Sequence, residues 1–208
     1  MINTIIFDIG NVLTDFRWRD YLKDLGFDDD ICKRIGDAAM SSSAWNDFDA
    51  GKDEEEVLRE FIANDPGIES QIRLMFKDIG GTLRMYDTSI PFLEALKEAG
   101  YRRLILSNLS QKTVRECSKD LKFLDHVDGG ILSYRVGLIK PDSKIFSLLI
   151  RRYGLTPCEC VFIDDREENV RTARELGMNG IVYSGLESAL KELEKLGVSV
   201  AFDMSVSE

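Results

Sequence analysis

A single histidine, His126, stands in the 208 residues, so a metal site built on several imidazoles is excluded. No GxSxG segment accompanies it, which removes the usual signature of a serine hydrolase, and a surface or satisfied structural role is the expectation for His126. No apolar run approaches the roughly 20 residues of a membrane span, and the amino terminus lacks the basic and apolar segments of a secretory signal. A soluble, cytoplasmic chain is expected. Cys32, Cys117, Cys158 and Cys160 show no CxxC spacing and are expected to be structural thiols in a reducing compartment. Positive charge is scarce as well: 27 basic against 37 acidic residues leave a formal charge of −10. That balance disfavours nucleic acid or an anionic membrane as a partner, and an anionic substrate needs local compensation. The chain contains no internal repeat and no low-complexity segment.

With 44% apolar residues the chain can bury a real core. Strand patterns fall at about 3–8, 102–107, 130–133, 160–164 and 180–183, and helical patterns separate most of them. This alternation predicts an α/β fold with a parallel sheet covered on both faces. The exception is the stretch 16–86, which reads as helices only and predicts a bundle of about four helices inserted after the first strand. Within it, Asp53 and Glu56 resemble a capping box, Asp65-Pro66 opens another helix, and Gly26 suits a helix end. After Gly197 the pattern fades into an expected frayed tail.

Three strand-like runs end in polar groups: Ile5-Ile6-Phe7 in Asp8, Leu104-Ile105-Leu106 in Ser107, and Val161-Phe162-Ile163 in Asp164-Asp165. In open parallel sheets ligands bind beyond the carboxyl ends of the strands, so these residues are expected to converge there. Asp8, Asp164 and Asp165 carry −3 if ionised. A divalent cation and Lys140, in Lys140-Pro141, return +3 and leave a site that can accept a phosphate anion. Mg²⁺ suits an all-oxygen donor set of few carboxylates.

In order along the chain, Phe7-Asp8-Ile9-Gly10-Asn11-Val12-Leu13, Leu106-Ser107-Asn108, Gly137-Leu138-Ile139-Lys140-Pro141-Asp142 and Phe162-Ile163-Asp164-Asp165 resemble the four motifs of haloacid dehalogenase superfamily phosphatases with a helical cap. The form of the first motif and the Asp164-Asp165-x-x-x-Asn169 ending are most similar to the branch containing bacterial α-D-glucose-1-phosphate phosphatases. The resemblance implies a Rossmann-like core over 1–15 and 87–208 with a cap over 16–86. It implies hydrolysis of a small phosphorylated metabolite, with Asp8 as nucleophile forming an aspartyl phosphate. Ser107 and Asn108 would bind substrate, Lys140 would neutralise charge on nucleophile and phosphate, and Asp8, Asp164, Asp165 and the Gly10 carbonyl would hold Mg²⁺. Two alternatives are a 2-haloacid dehalogenase, in which Asp8 displaces halide, and a non-catalytic phosphometabolite-binding protein.

Gly10 departs from the superfamily pattern, which often has a second aspartate there as general acid and base. Such catalysis is typically worth about 10²–10⁴-fold, so its loss favours easily departing leaving groups such as the anomeric oxygen of a sugar 1-phosphate. Asp15 is a conceivable substitute acid, although a cap before a helix over Phe16–Leu25 is the simpler reading. In the helical stretch, Trp45-Asn46-Asp47-Phe48-Asp49-Ala50-Gly51 combines aromatics with acids beside a turn glycine. Aromatic packing between helices is the plain reading, with Asp49 the residue to contact a substrate hydroxyl. Core packing is expected for Trp18, and loop orientation for Asn108 and Asn169.

Overall fold

The computed structural model describes residues 1–202, and 203–208 lie outside the described residues. Five parallel strands form the main sheet: β1 (Thr4–Phe7), β4 (Arg102–Ser107), β5 (Gly130–Leu132), β6 (Cys160–Asp164) and β7 (Asn179–Val182). Their order is β5-β4-β1-β6-β7, with β1 central and in register with both neighbours, Phe7 opposite Ile105 and Ile163. Successive side chains of a strand point to opposite faces. Ile5 and Phe7 therefore join one buried cluster with Ile105, Ile163, Phe92 and Leu193, while Ile6 joins the other with Leu106, Phe146 and Phe162. The first face is covered by α6 (Ser89–Glu98) and α10 (Leu186–Lys195), the second by α8 (Ser143–Tyr153) and α9 (Glu167–Glu175), and α7 (Gln111–Glu116) follows β4. The central strands need an apolar side chain at nearly every position because both their faces are buried.

The helical insert has a third core of its own. It comprises α1 (Trp18–Asp24), α2 (Asp29–Ile35), α3 (Ser43–Asp49), α4 (Glu54–Asn64) and α5 (Glu69–Lys77), with a π-turn over Gly36–Met40 and a 3₁₀ turn over Pro66–Ile68. Leu22, Ile35, Phe48, Phe61, Ile72 and Met75 meet inside it, and Trp18 packs against them. The Asp53 side chain accepts from the Glu55 and Glu56 N–H groups, and Asp65 accepts from the Gly67 N–H, so both expected starts carry real caps.

Three expectations are corrected. The stretch 16–86 is not helical throughout: β2 (Thr14–Phe16) and β3 (Leu83–Met85) form an antiparallel stem at the points where the chain leaves and re-enters the core. Asp15 lies in β2 opposite Arg84, not at a helix start, and the N-cap of α1 is Arg17 without a side-chain cap. The expected fraying after Gly197 also fails for 198–202, because Val198 is buried and Phe202 packs edge-on against Phe92. Its remainder lies outside the described residues. Cys32, Cys117 and Cys160 are buried free thiols, and Cys158 is exposed. His126 is half-buried and pairs with Glu94 at 2.9 Å. Among the described residues no helix is long and apolar enough to cross a membrane.

Candidate active site

The carboxyl ends of three parallel strands deliver polar residues to one edge of the sheet. Asp8 follows β1, Ser107 ends β4, Asp164 ends β6, and Lys140 reaches the same place from the loop before α8. The Lys140 ammonium sits between two carboxylates, 2.8 Å from Asp8 Oδ1 and 2.6 Å from Asp164 Oδ2, and is itself 1% exposed at the side chain. Oxygens of Asp8, Asp164 and Asp165 all lie within 4.8 Å of one another. Burial is the largest influence on Asp8 and pushes its carboxyl up to about 6, with Asp164 adding to the rise; Lys140 and the Ser107 hydroxyl oppose it.

Each of these groups is held by a neighbour. Asn108 uses its carboxamide on the backbone of Lys140, accepting from the N–H at 2.8 Å and donating to the carbonyl at 3.0 Å. The carboxamide thus positions Lys140, while Asn108 also lines the cavity. Asn169, 2% exposed, donates from Nδ2 to both oxygens of Asp164 at 3.0 Å, and the Arg166 N–H adds a third bond at 2.8 Å. The Asn169 Oδ1 is buried without a hydrogen-bond partner among the described residues. Asn11, at φ 58°, donates to Asp165 at 2.9 Å and accepts from the Phe16 N–H, tying this member of the acidic cluster to the stem. Asparagine is among the few non-glycine residues that adopt this left-handed conformation readily.

A cavity of about 200 Å³ opens over this floor. Asp8, Gly10, Ser107, Asn108, Lys140 and Asp165 line it from the core, and Met40, Trp45, Asn46 and Asp49 line it from the insert. Trp45 bears out the packing reading of its segment, stacking on Phe61 at 6.0 Å inside the insert, and it also forms part of the cavity wall. Sequence reasoning missed Asn11, Phe16 and Met40. Asn11 stands inside the first motif and was the readable one. Met40 arrives through a π-turn, a feature found often at functional sites but without a sequence period of its own.

Asp49 closes α3 and is buried on the cavity side, 8% exposed. Its carbonyl accepts from Ser133 Oγ at 2.5 Å, and Ser133 Oγ accepts from the Leu109 N–H at 2.9 Å, so the insert is fastened to the core beside the site. Two residues on, Gly51 has φ 95°, and a Cβ there would lie 2.8 Å from the Tyr134 carbonyl oxygen. Only glycine allows so close an approach. Burial, then the charge of Asp8, pushes the Asp49 carboxyl up to about 8 against the opposing influence of the Ser110 N–H and Lys140. No lysine or arginine among the described residues forms an ion pair with it.

Known proteins resemble this chain in sequence and in fold. The haloacid dehalogenase-like hydrolase family matches residues 2–177. Sesquiterpene phosphatase astK of Aspergillus oryzae is 27% identical over 198 residues, covering 92% of this chain and 94% of that protein. Flavin mononucleotide hydrolase 1 of Arabidopsis thaliana is 36% identical over 81 residues, 39% of this chain, and the match spans only 33% of that protein. Among solved structures, the HAD family enzyme BT-2542 of Bacteroides thetaiotaomicron, in complex with magnesium and inorganic phosphate, superposes with a TM-score of 0.69 at 23% identity, covering 89% of this chain and 96% of that one. With a family match running from the first strand through α9 and a shared fold, the chain belongs to the haloacid dehalogenase-like hydrolases.

Proposed function

We propose that the chain is a Mg²⁺-dependent phosphatase that hydrolyses a small phosphorylated metabolite, with sugar phosphates, sugar 1-phosphates among them, as its substrate class. The observation that carries this reading is the floor of three clustered carboxylates served by one buried ammonium. Such a floor repels an anion until a cation is added, and its donors are all hard oxygens, which fits Mg²⁺. Asp8, Asp164 and the Gly10 carbonyl would hold the ion and Asp165 would reach it through water; when bound, it supplies positive charge beside the phosphoryl oxygens. The phosphatase astK and the magnesium and phosphate complex of BT-2542 support the assignment.

Asp8 attacks phosphorus, and the bond to the leaving oxygen breaks as the aspartyl phosphate forms. Water then releases inorganic phosphate and regenerates the carboxylate. Lys140 holds Asp8 in place and balances its charge, while the Ser107 hydroxyl donates to a phosphoryl oxygen. A haloacid fits less well, since its carboxylate would meet the same three acids. The cavity wall is amphipathic: Asn46 and Asp49 can bond hydroxyls, while Trp45 and Met40 offer a surface to the apolar face of a sugar ring. Phosphate release over a panel of metabolites, with and without Mg²⁺, tests the reading. Release is expected only with Mg²⁺ and is expected to vanish in a folded Asp8→Asn variant; turnover by that variant, or binding without release across the panel, would refute it.

A further inference from the structure

We propose that Asp49 is the general acid and base of this site, supplying from the insert the proton that Gly10 cannot supply from the core. The proposal rests on the phosphatase reading and names a catalytic residue for it. Three carboxylates line the cavity, Asp8, Asp49 and Asp165, and Asp49 is the one outside the acidic cluster. The other proton carriers are unsuited. Asp15 lies in the stem and does not line the cavity, and His126 pairs with Glu94 away from it. Lys140 is held by two carboxylates, which favour its charged form. Ser107 and Thr113 are hydroxyls, far weaker acids than a carboxyl.

A carboxylate buried without a cationic partner is costly, and the neutral acid is the form that relieves the cost. Burial, the largest influence on Asp49, is a property of its packing and does not depend on an ion at the floor. The neutral carboxyl is thus available near pH 7, where a donor must hold its proton. Its position is fixed by the Ser133 bond to its own carbonyl, and the close approach at Gly51 leaves the segment little freedom.

The steps balance. As the phosphorus bond to the leaving oxygen breaks, the Asp49 proton moves to that oxygen, giving the alcohol and an Asp49 carboxylate. In the second half, that carboxylate takes a proton from the water whose oxygen bonds to phosphorus, the bond to Asp8 breaks, and Asp49 is protonated again. The net reaction is hydrolysis of the ester to alcohol and phosphate. On this account the glycine at position 10 does not restrict the enzyme to acidic leaving groups, and sugar 6-phosphates and simple alkyl phosphates turn over as well.

The test is a series of phosphate monoesters of rising leaving-group pKa, from 4-nitrophenyl phosphate to alkyl phosphates, assayed with Mg²⁺ on wild type, Asp49→Asn and Asp49→Glu. Asp49→Asn keeps the shape and loses the transferable proton. Its kcat on alkyl phosphates is expected to fall about 100-fold further than its kcat on 4-nitrophenyl phosphate, the lower end of what general acid catalysis supplies. Asp49→Glu, which keeps a carboxyl, is expected to lose less of that alkyl-to-nitrophenyl ratio than Asp49→Asn. Losses equal across the series, losses confined to KM, or a Glu variant worse in that ratio would make Asp49 a hydroxyl contact and overturn the proposal alone. A wild type without Mg²⁺-dependent release overturns the phosphatase reading, and this one with it.

Discussion

Replacing Lys140 by methionine, of similar length and without charge, removes the one ammonium between two buried carboxylates. At 2.8 and 2.6 Å and an effective dielectric constant of about 20, each contact is worth about 6 kcal/mol of gross attraction. Desolvation of the ammonium offsets much of that, and the loss of one partner from a buried pair costs about 3–5 kcal/mol in practice. For a chain of this size each kcal/mol lowers Tm by about 2–4 °C, so Lys140→Met is expected to melt roughly 6–20 °C below wild type in EDTA at pH 8. The sign of its pH dependence follows from Asp8. Its carboxyl, already pushed up to about 6, rises further without the lysine. A raised carboxyl gives stability that is present at low pH and lost as pH climbs through its folded-state value, so the deficit shrinks from pH 8 toward pH 5. Added Mg²⁺ should raise the Tm of the variant more than that of wild type, because a more negative floor attracts the cation more strongly. Thermal melts with circular dichroism decide the matter. A shift under about 2 °C in EDTA, set against the range expected from the same scaling, or a deficit that grows on acidification, would refute the neutralising role of Lys140.

Asn169→Ala removes two bonds to Asp164 and is expected to raise the Mg²⁺ concentration for half-maximal phosphate release by about 10–100-fold; an unchanged titration would release Asn169 from its positioning role. Gly51→Ala faces both a left-handed backbone and a 2.8 Å approach to the Tyr134 carbonyl, whereas Gly26→Ala faces only the backbone strain, with nothing within 4 Å. Gly51→Ala should therefore melt lower than Gly26→Ala, and equal melting would mean that the insert does not press on the core there. Asp49→Asn mimics the protonated acid, so its Tm advantage over wild type should widen from about pH 5 to about pH 8, where the unfolded carboxyl is ionised and the folded one, raised to about 8, still holds its proton, and should level off above that; a constant gap from about pH 5 to 8 would mean that the carboxyl is not raised.

The main sheet was legible because its strands are buried on both faces and read as continuous apolar runs, with Cys160–Asp164 and Arg102–Ser107 appearing where their patterns fall. Asp8, Ser107 and Asp164 were legible as a set for the same reason, since a polar residue closing such a run has few other places to go, whereas Lys140, in a loop, was legible only from its motif with Pro141. The stem was not. Strands of three residues, Thr14–Phe16 and Leu83–Met85, are too short to show an alternation and depend on each other across the whole insert. Asp15 looked like a cap because a lone acid before a helical pattern reads the same in a strand as in a turn. The second face of Asn108 was hidden too: its bonds to Lys140 join positions 32 residues apart, and local pattern carries no trace of them.

The stem makes the insert replaceable. Thr14 sits opposite Met85, so the core already holds the two chain ends side by side, as it would at the base of an ordinary hairpin. Whatever is spliced between Phe16 and Leu83 meets the same two anchor points, and the core strands keep their register under a short turn, this bundle or another module of different shape. Recombination at that junction would hand over the wall that selects the leaving group and, with Asp49 aboard, the group that protonates it. A lineage exchanging inserts here would change its substrate and its acid in a single event, while the phosphate end of the reaction stayed as it was.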